Sequence, residues 1–217
     1  MNAVLWDMDG TLVDTEPYWI ECEFAMAEKY GGEWDDADAL QLVGNNLVDS
    51  GRYIKERWGV DLTPEEIVEE LLDRVVEKVQ SDVPWRPGAL ELLAALDDAD
   101  VRCGLVTMSY GRFVAPILAH LPPETFRVVV TGDQVEFGKP HPEPYLTAAA
   151  ALGVPPEECL AIEDSNTGAK SAEAAGCTVL VVENHVPVLD GPRRVFRETL
   201  AGLTVEELRT LRAPSDA

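Results

Sequence analysis

Two acidic pairs stand out because each follows a short apolar run. The first is Asp7 and Asp9, in Trp6-Asp7-Met8-Asp9-Gly10-Thr11; the second is Glu163 and Asp164, in Ile162-Glu163-Asp164-Ser165. Alternate residues of an extended chain point the same way, so Asp7 and Asp9 can share a site. Gly10 lets the backbone turn sharply away. Carboxylates gathered out of water stay ionised only when paired with a cation or bound to a metal. Oxygen donors with no cysteine or clustered histidine select a hard cation, Mg²⁺ ahead of Ca²⁺. Each pair also has a plainer reading. Asp-x-Asp-Gly is an ordinary turn sequence, and Asp164 or Ser165 suits the cap of a following helix.

Two further stretches could complete such a site. Lys139, in Gly138-Lys139-Pro140, is one of only 17 basic residues and is held between a glycine and a proline. Gly132 and Asp133 lie just before it and read as support for its loop. Thr107 closes an apolar run in Leu105-Val106-Thr107-Met108-Ser109, and a second hydroxyl follows two residues on. Hydroxyls and freed backbone N–H groups at a strand end can hold phosphate oxygens. Taken singly, Lys139 is also readable as a solvated charge and Thr107 as a common strand terminator.

The elements that must position these residues are legible from hydrophobic patterning. Ala3–Met8, Val101–Thr107, Val128–Thr131, Cys159–Ile162 and Thr178–Val182 are continuous apolar, β-branched runs, as expected of parallel strands covered on both faces. Helical patterns over Gly88–Leu96, Arg112–Ala119, Pro144–Leu152 and Ser165–Ala175 alternate with them, and Gly153 and Gly176 mark two helix ends. Strand–helix alternation predicts an α/β fold with a Rossmann-like open parallel sheet. Ligands bind such sheets beyond the carboxyl ends of the strands, where all four motifs fall. Residues 16–83 break the pattern and read as helices only: Tyr18–Tyr30, Asp36–Leu42, Leu47–Arg57 and Pro64–Gln80. The last opens on the capping box Thr63-Pro64-Glu65-Glu66 and carries Ile67, Leu71, Val75 and Val79 on one stripe. The expected organisation is an α/β core from 1–15 and 84–217, with a small all-helical cap domain over 16–83 inserted after the first strand. A second capping box, Thr204 with Glu207, predicts a terminal helix.

Composition bounds the partners. The chain has 217 residues, 46% hydrophobic, and a formal net charge of −23 from 17 basic and 40 acidic residues. Nucleic acid is excluded as a partner, since phosphate-backbone binding needs clustered Lys and Arg. No segment reaches 18 consecutive apolar residues, so no membrane span is expected. The start of the chain has no basic region leading into a long apolar run, which makes the cytoplasm the expected compartment. The four scattered cysteines read as small buried thiols, and His120, His141 and His185 as surface or loop residues. No protein partner is evident. If the substrate is an anion, a bound cation must reverse the local field of so acidic a chain.

As an ordered set, the four strand-end motifs resemble one family, the haloacid dehalogenase-like hydrolases, and its helical-cap subgroup with β-phosphoglucomutase and sugar phosphatases. That family carries Asp-x-Asp followed by Gly-Thr, then a strand-ending Thr or Ser, then a Lys commonly followed by Pro, then an acidic pair. This sequence supplies Asp7 and Asp9, Thr107, Lys139, and Glu163 with Asp164, in that order, and the resemblance covers essentially the whole chain. It implies that Asp7 attacks phosphorus and that Asp9 is the general acid and base. It implies Mg²⁺ held by Asp7, the Asp9 carbonyl and Asp164, with Glu163 beside them, and phosphate oxygens held by Thr107, Met108, Ser109 and Lys139. A carboxylate nucleophile is already ionised at neutral pH and needs no activating base.

The implied activity is a Mg²⁺-dependent phosphatase for a small phosphorylated metabolite, a sugar or polyol phosphate. Glu16, Trp19, Asn45 and Asn46 are the expected contacts to its organic part; Trp19 is equally readable as core of the helical domain. Two alternatives stand beside it. A β-phosphoglucomutase-like mutase needs cations in the cap to grip a second phosphate, and in that subgroup a His follows the first motif. Counted from Gly44 and from Asp7, the matching positions are Val43, Leu47 and Trp19, none cationic or titratable, with Arg52 the nearest substitute. A non-catalytic phosphometabolite binder on the same fold would hydrolyse nothing.

Overall fold

The computed structural model describes residues 1–42 and 47–211 and divides into two compact units, Met1–Asp14 with Pro84–Ala217, and Thr15–Val83. The larger unit contains a six-stranded, all-parallel sheet. Its strands are β1 (Ala3–Trp6), β2 (Arg102–Val106), β3 (Val128–Val130), β4 (Cys159–Glu163), β5 (Thr178–Val181) and β6 (Arg194–Phe196), in the order β3-β2-β1-β4-β5-β6. In register, Trp6 lies opposite Leu105 on one side and Ile162 on the other. Every residue of β1 and β4 is buried, which is why these strands read as unbroken apolar runs.

β6 is absent from the five strands expected from patterning. It is three residues long, begins with an arginine and lies at the sheet edge. Its Arg194 is buried against Glu173, with Nη2 2.6 Å from the carboxylate, so the strand is held by an ion pair that hydrophobic periodicity does not register.

Helices α5 (Ala89–Asp98), α6 (Gly111–Leu118), α7 (Glu143–Leu152), α8 (Asn166–Ala175) and α9 (Val205–Thr210) complete this unit. Tyr145, Ala148 and Ala149 of α7 and Ala169 and Ala172 of α8 join Ala3, Leu5, Ala161 and Val179 in one core. Small residues let these helices approach the sheet closely: a side chain at Gly104 of β2 would press on Leu5, Val128 and Leu152. Gly153 and Gly176 close α7 and α8 in the left-handed conformation, as their positions imply. The chain leaves and re-enters the unit side by side, since Asp14 N–H donates to Pro84 C=O at 2.8 Å.

The smaller unit is helical: α1 (Glu16–Tyr30), α2 (Asp36–Leu42), α3 (Leu47–Trp58) and α4 (Pro64–Ser81). The Thr63–Glu66 capping box forms at the start of α4, and Ile67, Leu71, Val75 and Val79 are all buried. Gly51 lets α3 lie against the first turn of α4, where a side chain would overlap the Pro64 carbonyl. Asp38 ties the ends together by accepting from Tyr53 Oη at 2.8 Å and Arg57 Nε at 2.9 Å. Among the described residues no helix is long and apolar enough to cross a membrane. All four cysteines are buried and free.

Candidate active site at the carboxyl edge of the sheet

The site begins where β1 ends. The Asp7 N–H donates to Ile162 C=O at 3.0 Å, which extends the β1–β4 ladder by one residue and sets Asp7 beside the end of β4. Gly10 then turns the chain with φ +88°, and a Cβ there would overlap Asp164 Oδ2. Glycine is thus required twice at this point, by backbone conformation and by the carboxylate lying against it. Thr11 Oγ1 donates to Asp164 Oδ1 at 3.3 Å.

Lys139 reaches into this cluster from the loop before α7. Its ammonium donates to Asp7 Oδ1 at 2.6 Å, Glu163 Oε1 at 2.7 Å and Val106 C=O at 2.9 Å. A primary ammonium has three protons, and all three are used. The loop is held by Met108, whose sulfur accepts the Lys139 N–H at 3.2 Å. Met108 therefore fastens the lysine loop through its side chain. Asp133, at the start of that loop, accepts Thr131 Oγ1 at 2.6 Å and Gly111 N–H at 3.1 Å, which ties the loop to the start of α6.

Thr107 and Ser109 face the other acid. Ser109 Oγ donates to Asp9 Oδ2 at 2.7 Å, and Thr107 Oγ1 lies 3.4 Å from the same oxygen. Thr107 Oγ1 also accepts the Ser109 N–H at 3.0 Å, which ties the loop after β2 to Asp9.

Asp7, Glu163 and Asp164 are buried and bring one oxygen each within 4.8 Å of one another. One ammonium faces three carboxylates; burial and this imbalance raise the pKa of Asp7 and of Asp164. Burial, then the charge of Glu163, push Asp7 up to about 7, against the opposing pull of Lys139. Burial, then Asp7 and Glu163, hold Asp164 well above the usual carboxylate range. For Lys139, burial disfavours the charge, but Asp7 and Glu163 outweigh it and hold the ammonium above its ordinary value. Asp7 Oδ2 is buried with no hydrogen-bond partner among the described residues. An orphaned carboxylate oxygen in an all-oxygen, electron-rich cluster is what a hard divalent cation satisfies.

The motifs that patterning placed at four separate strand ends thus meet in one unit. Tyr145 was not among the expected site residues. Its hydroxyl donates to Glu163 Oε1 at 2.6 Å, and its ring lies 5.2 Å from the Lys139 ammonium. The available signal was a tyrosine on the core face of an alanine-rich helix, since a buried phenol needs a polar partner. Glu16 and Trp19 lie in the first turns of α1, both half-buried. Asn45 and Asn46, with Val43, lie outside the described residues.

Residues 4–182 match the family model described as haloacid dehalogenase-like hydrolase. The chain belongs to the haloacid dehalogenase-like hydrolases. It is 30% identical over 185 residues to hexitol phosphatase B of Escherichia coli strain K12, covering 83% of this chain and 82% of that protein. It is 32% identical over 186 residues to the phosphorylated carbohydrates phosphatase of Thermotoga maritima, covering 81% and 82%. Among solved structures, CbbY of Rhodobacter sphaeroides in complex with phosphate superposes with a TM-score of 0.83 at 26% identity, covering 96% of this chain and 99% of that one. Hydrolase family membership and the parallel α/β fold agree with the ordered motifs.

Proposed function

We propose that this hydrolase is a Mg²⁺-dependent phosphatase that removes phosphate from a small sugar or polyol phosphate through a phosphoaspartate on Asp7. The observation that carries the reading is Asp7 itself. One of its oxygens is pinned by Lys139, the other is buried with no partner among the described residues, and the carboxyl group clusters with those of Glu163 and Asp164. The relatives named for hexitol and carbohydrate phosphates support the substrate class.

Asp7 and Asp164 would hold the cation with their carboxylates, with the Asp9 main-chain carbonyl as a further oxygen donor. When bound, it neutralises the carboxylate cluster and draws charge from the phosphoryl oxygens. The protein's own residues do the rest. The Asp7 carboxylate forms the new bond to phosphorus as the bond to the substrate's oxygen breaks. Asp9, held toward the site by Ser109, gives its proton to the departing oxygen, which leaves as an alcohol. Water then attacks the acyl phosphate, Asp9 takes a proton from it, and inorganic phosphate and free Asp7 result. Lys139 orients Asp7 and favours its ionised form against the burial that opposes it. Burial of Asp7, Glu163 and Asp164 excludes the bulk water that would screen these charges.

A mutase is less well supported. Val43 and Leu47, where the cap cations would stand, and Trp19, where the His would stand, are uncharged, and Arg52 of α3 is the nearest substitute. Initial rates on a panel of phosphate esters test the proposal. Phosphate release with Mg²⁺, preferring sugar or polyol phosphates and abolished by chelation, is the expected outcome. Full activity after exhaustive chelation, or interconversion of phosphosugars without net phosphate release, would overturn it.

A further inference from the structure

Glu163 belongs to the acidic cluster by distance, yet its oxygens are already spoken for. Oε1 accepts from Lys139 Nζ at 2.7 Å and from Tyr145 Oη at 2.6 Å, which uses both lone pairs of that atom. Oε2 accepts from Ser165 Oγ at 3.2 Å. The carboxylate also lies flat on the first turn of α8, where a side chain at Gly168 would overlap both oxygens. A helix N-terminus favours an anion there. Glu163 is fully buried, and so is Tyr145. Among the described residues no such set of donors holds Asp164, which accepts from Thr11, or Asp7 Oδ2, which has no partner there.

We propose that Tyr145 is a positioning residue: with Lys139, its hydroxyl turns Glu163 away from the metal site, making it the lysine's counter-ion and leaving only Asp7 and Asp164 as carboxylate ligands. The geometry sorts three neighbouring acids into two roles. Two negative charges face the divalent cation, and the third is cancelled by an ammonium, a phenol and a helix end. The number of carboxylates on the cation matters for catalysis. A third would leave it less able to draw charge from a phosphoryl group and would unpin Lys139 from Asp7. The aromatic ring serves the same end by packing beside the ammonium, where its π face favours a cation.

The inference rests on the metal-dependent phosphatase reading but is tested without turnover. Mg²⁺ alone is titrated by calorimetry into the wild-type chain and into Tyr145→Phe, Glu163→Gln and Asp164→Asn, each first checked by near-UV circular dichroism. Tyr145→Phe frees one lone pair of Glu163 Oε1 and so offers the cation a third carboxylate, which should raise the Mg²⁺ affinity measurably above that of the wild-type chain. At saturating Mg²⁺ its kcat for p-nitrophenyl phosphate should fall while KM is held. Glu163→Gln should still bind Mg²⁺, and Asp164→Asn should not. An unchanged Mg²⁺ affinity in Tyr145→Phe, or a Glu163→Gln chain that loses Mg²⁺ as completely as Asp164→Asn, overturns the proposal. If Tyr145→Phe does not fold, the comparison of Glu163→Gln with Asp164→Asn decides. Absence of hydrolysis by the wild-type chain would sink the phosphatase reading and leave the calorimetric comparison standing.

Discussion

At the scale of residues, the two aspartates of the first motif are distinguished by what holds them. Asp7 is gripped by an ammonium, and Asp9 by two hydroxyls, Ser109 and Thr107. A nucleophile must keep its lone pairs, whereas an acid and base must gain and lose a proton, and a neutral hydroxyl tolerates both states. Asp7→Asn is expected to abolish turnover and the hydroxylamine-labile phosphoenzyme that an acid quench with labelled substrate should trap in the wild-type chain. Asp9→Asn should lower kcat by about 10²–10⁴-fold, the usual worth of a positioned proton donor. Lys139 is nearly inaccessible, with 5% of its side chain exposed between Asp7 and Glu163. Lys139→Met removes one partner of a buried charge set and should cost about 3–5 kcal/mol in urea unfolding, as well as activity. Loss of activity with unchanged stability would show that the pairing is not what holds this cluster.

At the scale of elements, the helical unit has a buried acid of its own. Glu23 of α1 is 4% exposed, and its Oε2 has no partner among the described residues. Burial, then the charge of Glu16, push it up to about 8 from an ordinary 4.5, with Trp34 pulling slightly the other way. The folded chain thus holds this proton more tightly than the unfolded chain does. The stabilisation is full below pH 4.5 and is lost as pH rises through 8. Glu23→Gln should flatten the decline in stability between those limits and raise the urea midpoint at pH 9, each unit of the window being worth about 1.4 kcal/mol. An unaltered pH slope would show that Glu23 finds its partner in solution. In α4, Thr63→Ala removes half of an observed capping box and should cost about 1 kcal/mol, a loss visible in the same urea experiment and confined to stability.

At the scale of the whole molecule, a chain of net charge −23 that takes a phosphate ester, as proposed, needs a cation in the Asp7–Asp164 cluster to reverse the local field. Mg²⁺ should raise the melting temperature of the wild-type chain, by the equivalent of about 2.7 kcal/mol at a hundredfold excess over its dissociation constant. Chelation should reverse the rise, and Asp164→Asn should show none. Much of this was legible in the sequence. The continuous apolar runs ending in Asp7, Thr107 and Glu163, the capping boxes at Thr63 and Thr204, and the αL glycines at 153 and 176 are local signals, and local physics reads them. β6 was not legible, because an ion pair with Glu173, 21 residues away, holds a strand too short to show a period. Nor was the role of Tyr145, which patterning assigns to the core of α7. By itself, the sequence determined that parallel strands alternate with helices and which residue types stand at each strand end, since hydrophobic period and turn chemistry are properties of neighbouring residues. Only the tertiary structure decided which acids share the lysine and which oxygen is left without a partner, because that depends on groups 24 and 132 residues from Lys139 meeting where water is excluded.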